Sequence, residues 1–182
     1  MAALADDVKT IQPKLQAALG LNNPLALPQM TKIVVNVGVG ELKGNEPLQR
    51  TMAETISLIT GQKPVITRAK KAIAGFKLRA GDPVGMRVTL RGKRMDDFLN
   101  RIITYVLPRI RDFRGFTVHG FDQHGNFSFG LREYTVFPEV PYRTADTPWG
   151  IEITLVTTAK HQAEAKEFLS AIGFPLAKNE EK

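Results

Sequence analysis

Alternation of apolar and polar residues constrains the fold of this chain more than any other feature. In "MRVTLR" the side chains of Met86, Val88 and Leu90 point one way, and those of Arg87, Thr89 and Arg91 the other. In "KIVVNVGV", Ile33, Val35 and Val37 share one face with Asn36 opposite. Two further strands are expected, one near "NFSFGL" and one at "IEITLVTT". Strands that are apolar on one side suit an antiparallel-rich sheet with helices packed on one face, an α+β sandwich.

The helices announce themselves by period and by their ends. Leu4, Val8, Ile11, Leu15, Ala18 and Leu19 recur at helical spacing up to Gly20, and Pro13 predicts a kink or a restart within them. Asn45 reads as an N-cap and Pro47 as first-turn proline of a helix carrying Leu48, Met52, Ile56 and Ile59, closed by Gly61. A third helix is expected from about Met95 to Leu107. Its stripe is Phe98, Leu99, Ile102, Ile103 and Val106; Asp96 and Asp97 suit its start and Pro108 its end. A fourth is expected from about Lys160 to Ile172, while "AGDPVG" (80–85) reads as a loop or hairpin tip. No repeat or linker divides the 182 residues, so a single domain is expected.

Charge then narrows the function. The net charge is +7, yet residues 63–94 hold ten cations against one acid, Asp82, and the remainder holds 15 cations and 17 acids. A basic field so confined points to a polyanion. Lys70 and Lys71 extend the strip begun by Arg87, Thr89 and Arg91, and uncharged hydrogen-bonding residues among cations suit RNA read through phosphate, shape and 2′-hydroxyl. Phe76 is the lone aromatic in the window, which argues against a stacking platform for single strands.

Other chemistry finds little support. There is no cysteine, hence no disulfide or thiolate, and no apolar run of spanning length. The opening "MAALADDVKTIQPKL" lacks the build of a signal peptide, so a cytoplasmic protein is expected. "NVGVGELKG" resembles a dinucleotide turn but has Lys43 where the third glycine belongs, with Gly44 one place late. His119, Asp122 and His124 in "HGFDQH" lack a fourth metal ligand, His161 suggests nothing, and Ser57, Ser128 and Ser170 lack a glycine elbow. No cofactor and no catalytic residue is expected; a charge-only RNA chaperone and a nucleotide-binding enzyme remain as alternatives to a specific RNA-binding protein.

The segments "GQKPVITRAKKAIAGFKLRAGDPVGMRVTLRGKRM", "LPRIRDFRG", "GNFSFGLREYTVFPE", "NVGVGE" and "TTAKHQAEAKEFLSAIGFP" resemble the bacterial large-subunit ribosomal protein L-five family. The resemblance spans residues 30–175 and leaves 1–29 as an N-terminal helical extension with a packing role. It implies an L-five-like fold with a protruding basic loop, and a structural protein that attaches 5S rRNA in the central protuberance of the large ribosomal subunit. Asn36, Gln62, Lys63, Thr67, Arg68, Lys70, Lys71, Arg87, Thr89 and Arg91 are the residues expected at 5S rRNA. Lys77, Arg79, Gly81 and Asp82 are those expected in a loop that touches P-site tRNA. Arg109, Arg111, Arg114, Tyr142 and Arg143 are expected in an intersubunit bridge to small-subunit protein S-thirteen. The implied neighbours are 23S rRNA and proteins L-eighteen and L-twenty-five type, with no membrane. The chain departs from the family pattern at His119–Gly120, where serine is usual, and at Ile151–Glu152, where leucine or methionine precedes aspartate.

Overall fold

The computed structural model describes residues 4–21, 23–38, 45–140 and 149–177, with side chains from residue 11 onward. Its elements in chain order are α1 (Leu4–Leu19), β1 (Met30–Gly38), α2 (Glu46–Thr60), β2 (Val65–Arg68), β3 (Pro83–Leu90), α3 (Lys93–Arg101), β4 (Phe127–Leu131), β5 (Ile151–Thr157) and α4 (Gln162–Ala171). The strands form one antiparallel sheet in the order β2-β3-β1-β5-β4. This is the α+β class that one-sided strands call for. Ile33, Val35 and Val37 are buried on β1, Met86, Val88 and Leu90 on β3, and Ile151, Ile153 and Leu155 on β5, in strict alternation.

Local chemistry explains the helix ends. The Asn45 side chain accepts a hydrogen bond from the Leu48 amide at 3.1 Å. Gly61 closes α2 with φ 68°, a left-handed turn that glycine adopts without Cβ strain. Helix α1 continues through Pro13 as one element, so the expected restart does not occur. Helix α3 begins at Lys93, two residues before the expected start. From Ile102 to Val106 it widens into a π turn, with the Leu107 amide reaching back to Ile102, before a 3-10 turn over Leu107–Arg109 carries Pro108. The stripe still lies inward, with Phe98, Leu99, Ile102 and Val106 buried.

The chain condenses into two compact units, and the division falls within β1, β4 and β5. The first comprises residues 1–33, 91–129 and 154–182. In it α1 lies against α3 and α4, and an aromatic cluster fills the space beside β4. Phe116 stacks on Phe174 at 5.4 Å and lies 4.4 Å from Phe129, while fully buried Phe127 meets Phe121 at 4.6 Å. Gly120 is required here: a Cβ would stand 2.5 Å from the Ser128 carbonyl oxygen and 2.7 Å from the Phe127 ring. The second unit comprises 34–90 and 130–153. Helix α2 lies against β3 and has Met52, Ile56 and Ile59 buried, and Tyr134 stacks on Trp149 at 4.2 Å.

Candidate nucleic-acid interface

The solvent face of the second unit is built by strand pairing. Strand β2, which the sequence does not announce, pairs antiparallel with β3, setting Val65 opposite Arg87 and Thr67 opposite Gly85. Paired residues share a face, so Thr67, Gly85, Arg87 and, two places on, Thr89 all point away from the core. Asn36 on β1 faces the same way, opposite its buried neighbours Val35 and Val37.

Two residues that the sequence reading did not assign to this face shape it. Glu152 on β5 accepts a hydrogen bond from the Asn36 side-chain nitrogen at 3.1 Å, which fixes the amide so that its oxygen is turned toward β3. Gly85 lets its neighbours close in there, since a Cβ would lie 2.9 Å from the Thr67 hydroxyl, 3.0 Å from the Val37 carbonyl oxygen and 3.8 Å from the Asn36 oxygen. The result is a polar row, Glu152, Asn36 and Thr67, closely packed across Gly85. A glycine inside an alternating strand was the available signal for it. Glu152 stood out only as a departure from the family pattern, because its partner depends on strand order.

Cations flank the row. Gln62 and Lys63 follow the α2 cap, where the buried Thr60 hydroxyl lies 3.0 Å from the Gln62 carbonyl oxygen and 3.3 Å from its amide. Lys63, Arg87, Lys70 and Lys71 are exposed, and Thr89 is half-buried. Strand β3 ends at Leu90, and Arg91, also exposed, falls just past it. Within the unit the structure thus gathers Asn36, Thr67, Arg87 and Thr89 on one face, with Gln62, Lys63, Lys70 and Lys71 beyond the two ends of β2.

The connection from β2 to β3 is organised in two tiers. At its base the Ala69 amide donates to the Asp82 carbonyl at 2.8 Å, the Gly81 amide to the Ala69 carbonyl at 2.9 Å, and Arg68 Nη1 to the Gly81 carbonyl at 2.9 Å. The Asp82 carboxylate accepts the Arg79 amide at 2.8 Å. Residues 83–85 already belong to β3, which corrects the expected tip at "AGDPVG". A turn at Ala80–Gly81, where the Asp82 amide reaches the Arg79 carbonyl at 3.2 Å, precedes them, and the outer turn lies earlier, at Ala74–Phe76, closed by Lys77 with φ 51°. Arg68 and Asp82 are therefore structural at this point, while Lys77 and Arg79 are exposed along the outer part of the loop.

In the first unit Arg109, Arg111 and Arg114 are exposed on the segment after α3, which is tied down where Phe116 exchanges hydrogen bonds with Pro175 and Ala177. The Arg111–Asp112 pair, at 3.8 Å, is almost fully exposed and contributes little. Tyr142 and Arg143 lie outside the described residues, as do Gly40, Lys43 and Gly44 of the glycine-rich turn. In "HGFDQH" the Asp122 carboxylate is occupied: it accepts the His124 amide at 2.9 Å, and the Asn126 amide and side chain at 2.7 Å each. Burial works to raise its pKa, but those hydrogen bonds and nearby His124 outweigh it and hold the carboxyl below the ordinary value. Among the described residues no group of three His, Cys, Asp or Glu could hold a metal ion, and no helix is long and apolar enough to cross a membrane.

Residues 83–176 match the family model for the C-terminus of the ribosomal L5 protein family, and residues 23–79 match the one described as Ribosomal protein L5. The chain is 47% identical to the large ribosomal subunit protein uL5 of Rubrobacter xylanophilus over 98% of this chain and 100% of that protein. The uL5 protein of Halothermothrix orenii is 48% identical over 96% and 98%. That of Desulfatibacillum aliphaticivorans is 44% identical over 94% and 96%.

Proposed function

The chain belongs to the ribosomal protein L5 family, and from that premise we propose that it is a structural, non-enzymatic protein of the large ribosomal subunit that binds 5S rRNA. The observation that carries the residue-level reading is the polar row on the open face of the second unit. Asn36 is oriented by Glu152, Thr67 closes over Gly85, and Arg87 and Thr89 follow along β3. Uncharged groups held in fixed directions read ribose and base edges, and the cations around them neutralise phosphates. On this reading Asn36, Gln62, Thr67 and Thr89 confer specificity, while Lys63, Lys70, Lys71, Arg87 and Arg91 supply affinity. Arg68 supports the loop base.

The same reading extends to finer contacts. The loop bearing Lys77 and Arg79 reaches P-site tRNA, and Arg109, Arg111 and Arg114 with Tyr142 and Arg143 face small-subunit protein S-thirteen. Proteins L-eighteen and L-twenty-five type and 23S rRNA are the neighbours in the central protuberance, in the cytoplasm. Support comes from the exposure of Lys77, Arg79 and the three arginines on loops and from family membership.

The test separates a built surface from charge alone. Thr89→Val keeps shape and removes one hydroxyl, so 5S rRNA affinity should fall several-fold at moderate salt, with tRNA as competitor. Unchanged affinity would leave a charge-only RNA binder as the better description.

A further inference from the structure

Phe76 is 76% exposed and neighbouring Ile73 47%. A lone exposed apolar side chain is ordinary on a protein surface, so exposure by itself carries nothing. The setting does. Ile73 and Leu78 exchange both backbone hydrogen bonds, at 3.0 and 3.1 Å, and the amides of Phe76 and Lys77 reach the Ile73 and Ala74 carbonyls at 3.3 and 3.0 Å. Lys77 closes this turn in the left-handed region, at φ 51°, where a residue with a Cβ is strained. The ring is thus held out by a bonded turn at the far end of a loop whose base is separately pinned.

The surroundings select the kind of partner. Lys70, Lys71, Lys77 and Arg79 belong to the same connection and are exposed. Its sole acid, Asp82, has its carboxylate on the Arg79 amide. A ring face amid cations matches an unpaired nucleotide, whose base offers a π-face and whose phosphates carry the charge. A purely apolar protein pocket would have no use for the cations. The absence of further aromatics in the connection argues against a platform for several bases but not against one ring for one base.

We propose that Phe76 stacks on an unpaired base of tRNA while Lys77 and Arg79 hold the phosphates on either side. This rests on the reading of the loop as a tRNA contact, and it adds a ring-dependent component to a contact otherwise made by charge.

Large subunits assembled with variant proteins test it, reading the dissociation of deacylated tRNA from the P site, the incorporation of each variant, and 5S rRNA binding by the free protein. Phe76→Leu and Phe76→Ala remove the ring and should speed tRNA dissociation about 5-fold or more. Phe76→Trp should stay within about 2-fold of the parent, since it keeps a stacking face. All three should bind 5S rRNA as the parent does. If Phe76→Leu matches the parent while Lys77→Ala and Arg79→Ala still lose tRNA faster, stacking is refuted and the tRNA contact survives as a charge contact. If neither kind of variant changes tRNA retention, the tRNA reading itself falls. Reduced incorporation of Phe76→Leu, with normal tRNA retention in the subunits that contain it, would place the ring against another subunit component and overturn the proposal.

Discussion

Replacing Gly85 by alanine inserts one methyl group where the RNA face has no room. The new Cβ would stand 2.9 Å from the Thr67 hydroxyl and 3.0 Å from the Val37 carbonyl oxygen, whereas ordinary contact starts near 3.4 Å. Thr67 can rotate away. The Val37 carbonyl cannot do so cheaply, because it belongs to β1, the middle strand, with the Val37 side chain buried. Overpacking of this kind costs about 1–3 kcal/mol, and the reduced freedom of alanine in the unfolded chain returns about 0.4–1 kcal/mol. A net loss of about 1–2 kcal/mol lowers the melting temperature of a chain this size by roughly 2–8 °C. The rotation of Thr67 and the shift of Asn36, whose oxygen lies 3.8 Å from the new carbon, should also weaken 5S rRNA binding. Thermal unfolding followed by circular dichroism and a filter-binding titration measure both effects. A melting temperature at or above the parent's would show that the strands have slack and that glycine is not needed for space. A lowered melting temperature with unchanged 5S rRNA affinity would remove the packing around Gly85 from the RNA face.

Two further outcomes concern the first unit. Gly120→Ala forces a Cβ to within 2.5 Å of the Ser128 carbonyl and 2.7 Å of the Phe127 ring; it should destabilise by about 3 kcal/mol, at the upper end for overpacking, and a melting temperature equal to the parent's would contradict the packing described. Asp122 has a folded-state pKa below its ordinary value, so it binds fewer protons folded than unfolded, and its contribution is present above about pH 4 and lost as pH falls through the lowered value. The stability gap between the parent and Asp122→Ala should therefore be widest at neutral pH and shrink in acid, by a modest amount because the carboxylate is exposed; a gap that does not change between about pH 7 and pH 3 would exclude this role.

What could be read in advance was what is encoded locally. The ends of α2 depend on Asn45, Pro47 and Gly61, each acting within one turn, and the inward faces of β1 and β3 depend on a period of two. Strand β2 escaped notice because it has four residues, with Val65 and Ile66 both partly in solvent, so it shows no alternation. The outer turn escaped notice because Gly81, Pro83 and Gly85 point to residues 80–85, where Ala80–Gly81 do turn, whereas the outer turn sits at Ala74–Lys77 and uses a lysine in the left-handed region. The π turn at Ile102 preserves the apolar stripe and leaves no mark on its spacing. At the site, Arg87 and Thr89 were legible from strand parity. The link from Glu152 to Asn36 arises only when β5 comes to lie beside β1.

That adjacency has a consequence for synthesis. The middle strand β1 ends at Gly38, its neighbour β3 is complete at Leu90, and its other neighbour β5 begins only at Ile151. At a translation rate of about 5–20 residues per second, β1 waits roughly 3–10 s for the first partner and about 6–23 s for the second. During the later interval a strand bearing Val35 and Val37 has one hydrogen-bonding edge open, the arrangement most prone to pairing with another chain. The nascent protein thus passes through a half-built sheet whose unpaired side is its future centre, and premature release at that stage would yield an aggregating fragment rather than a smaller folded protein.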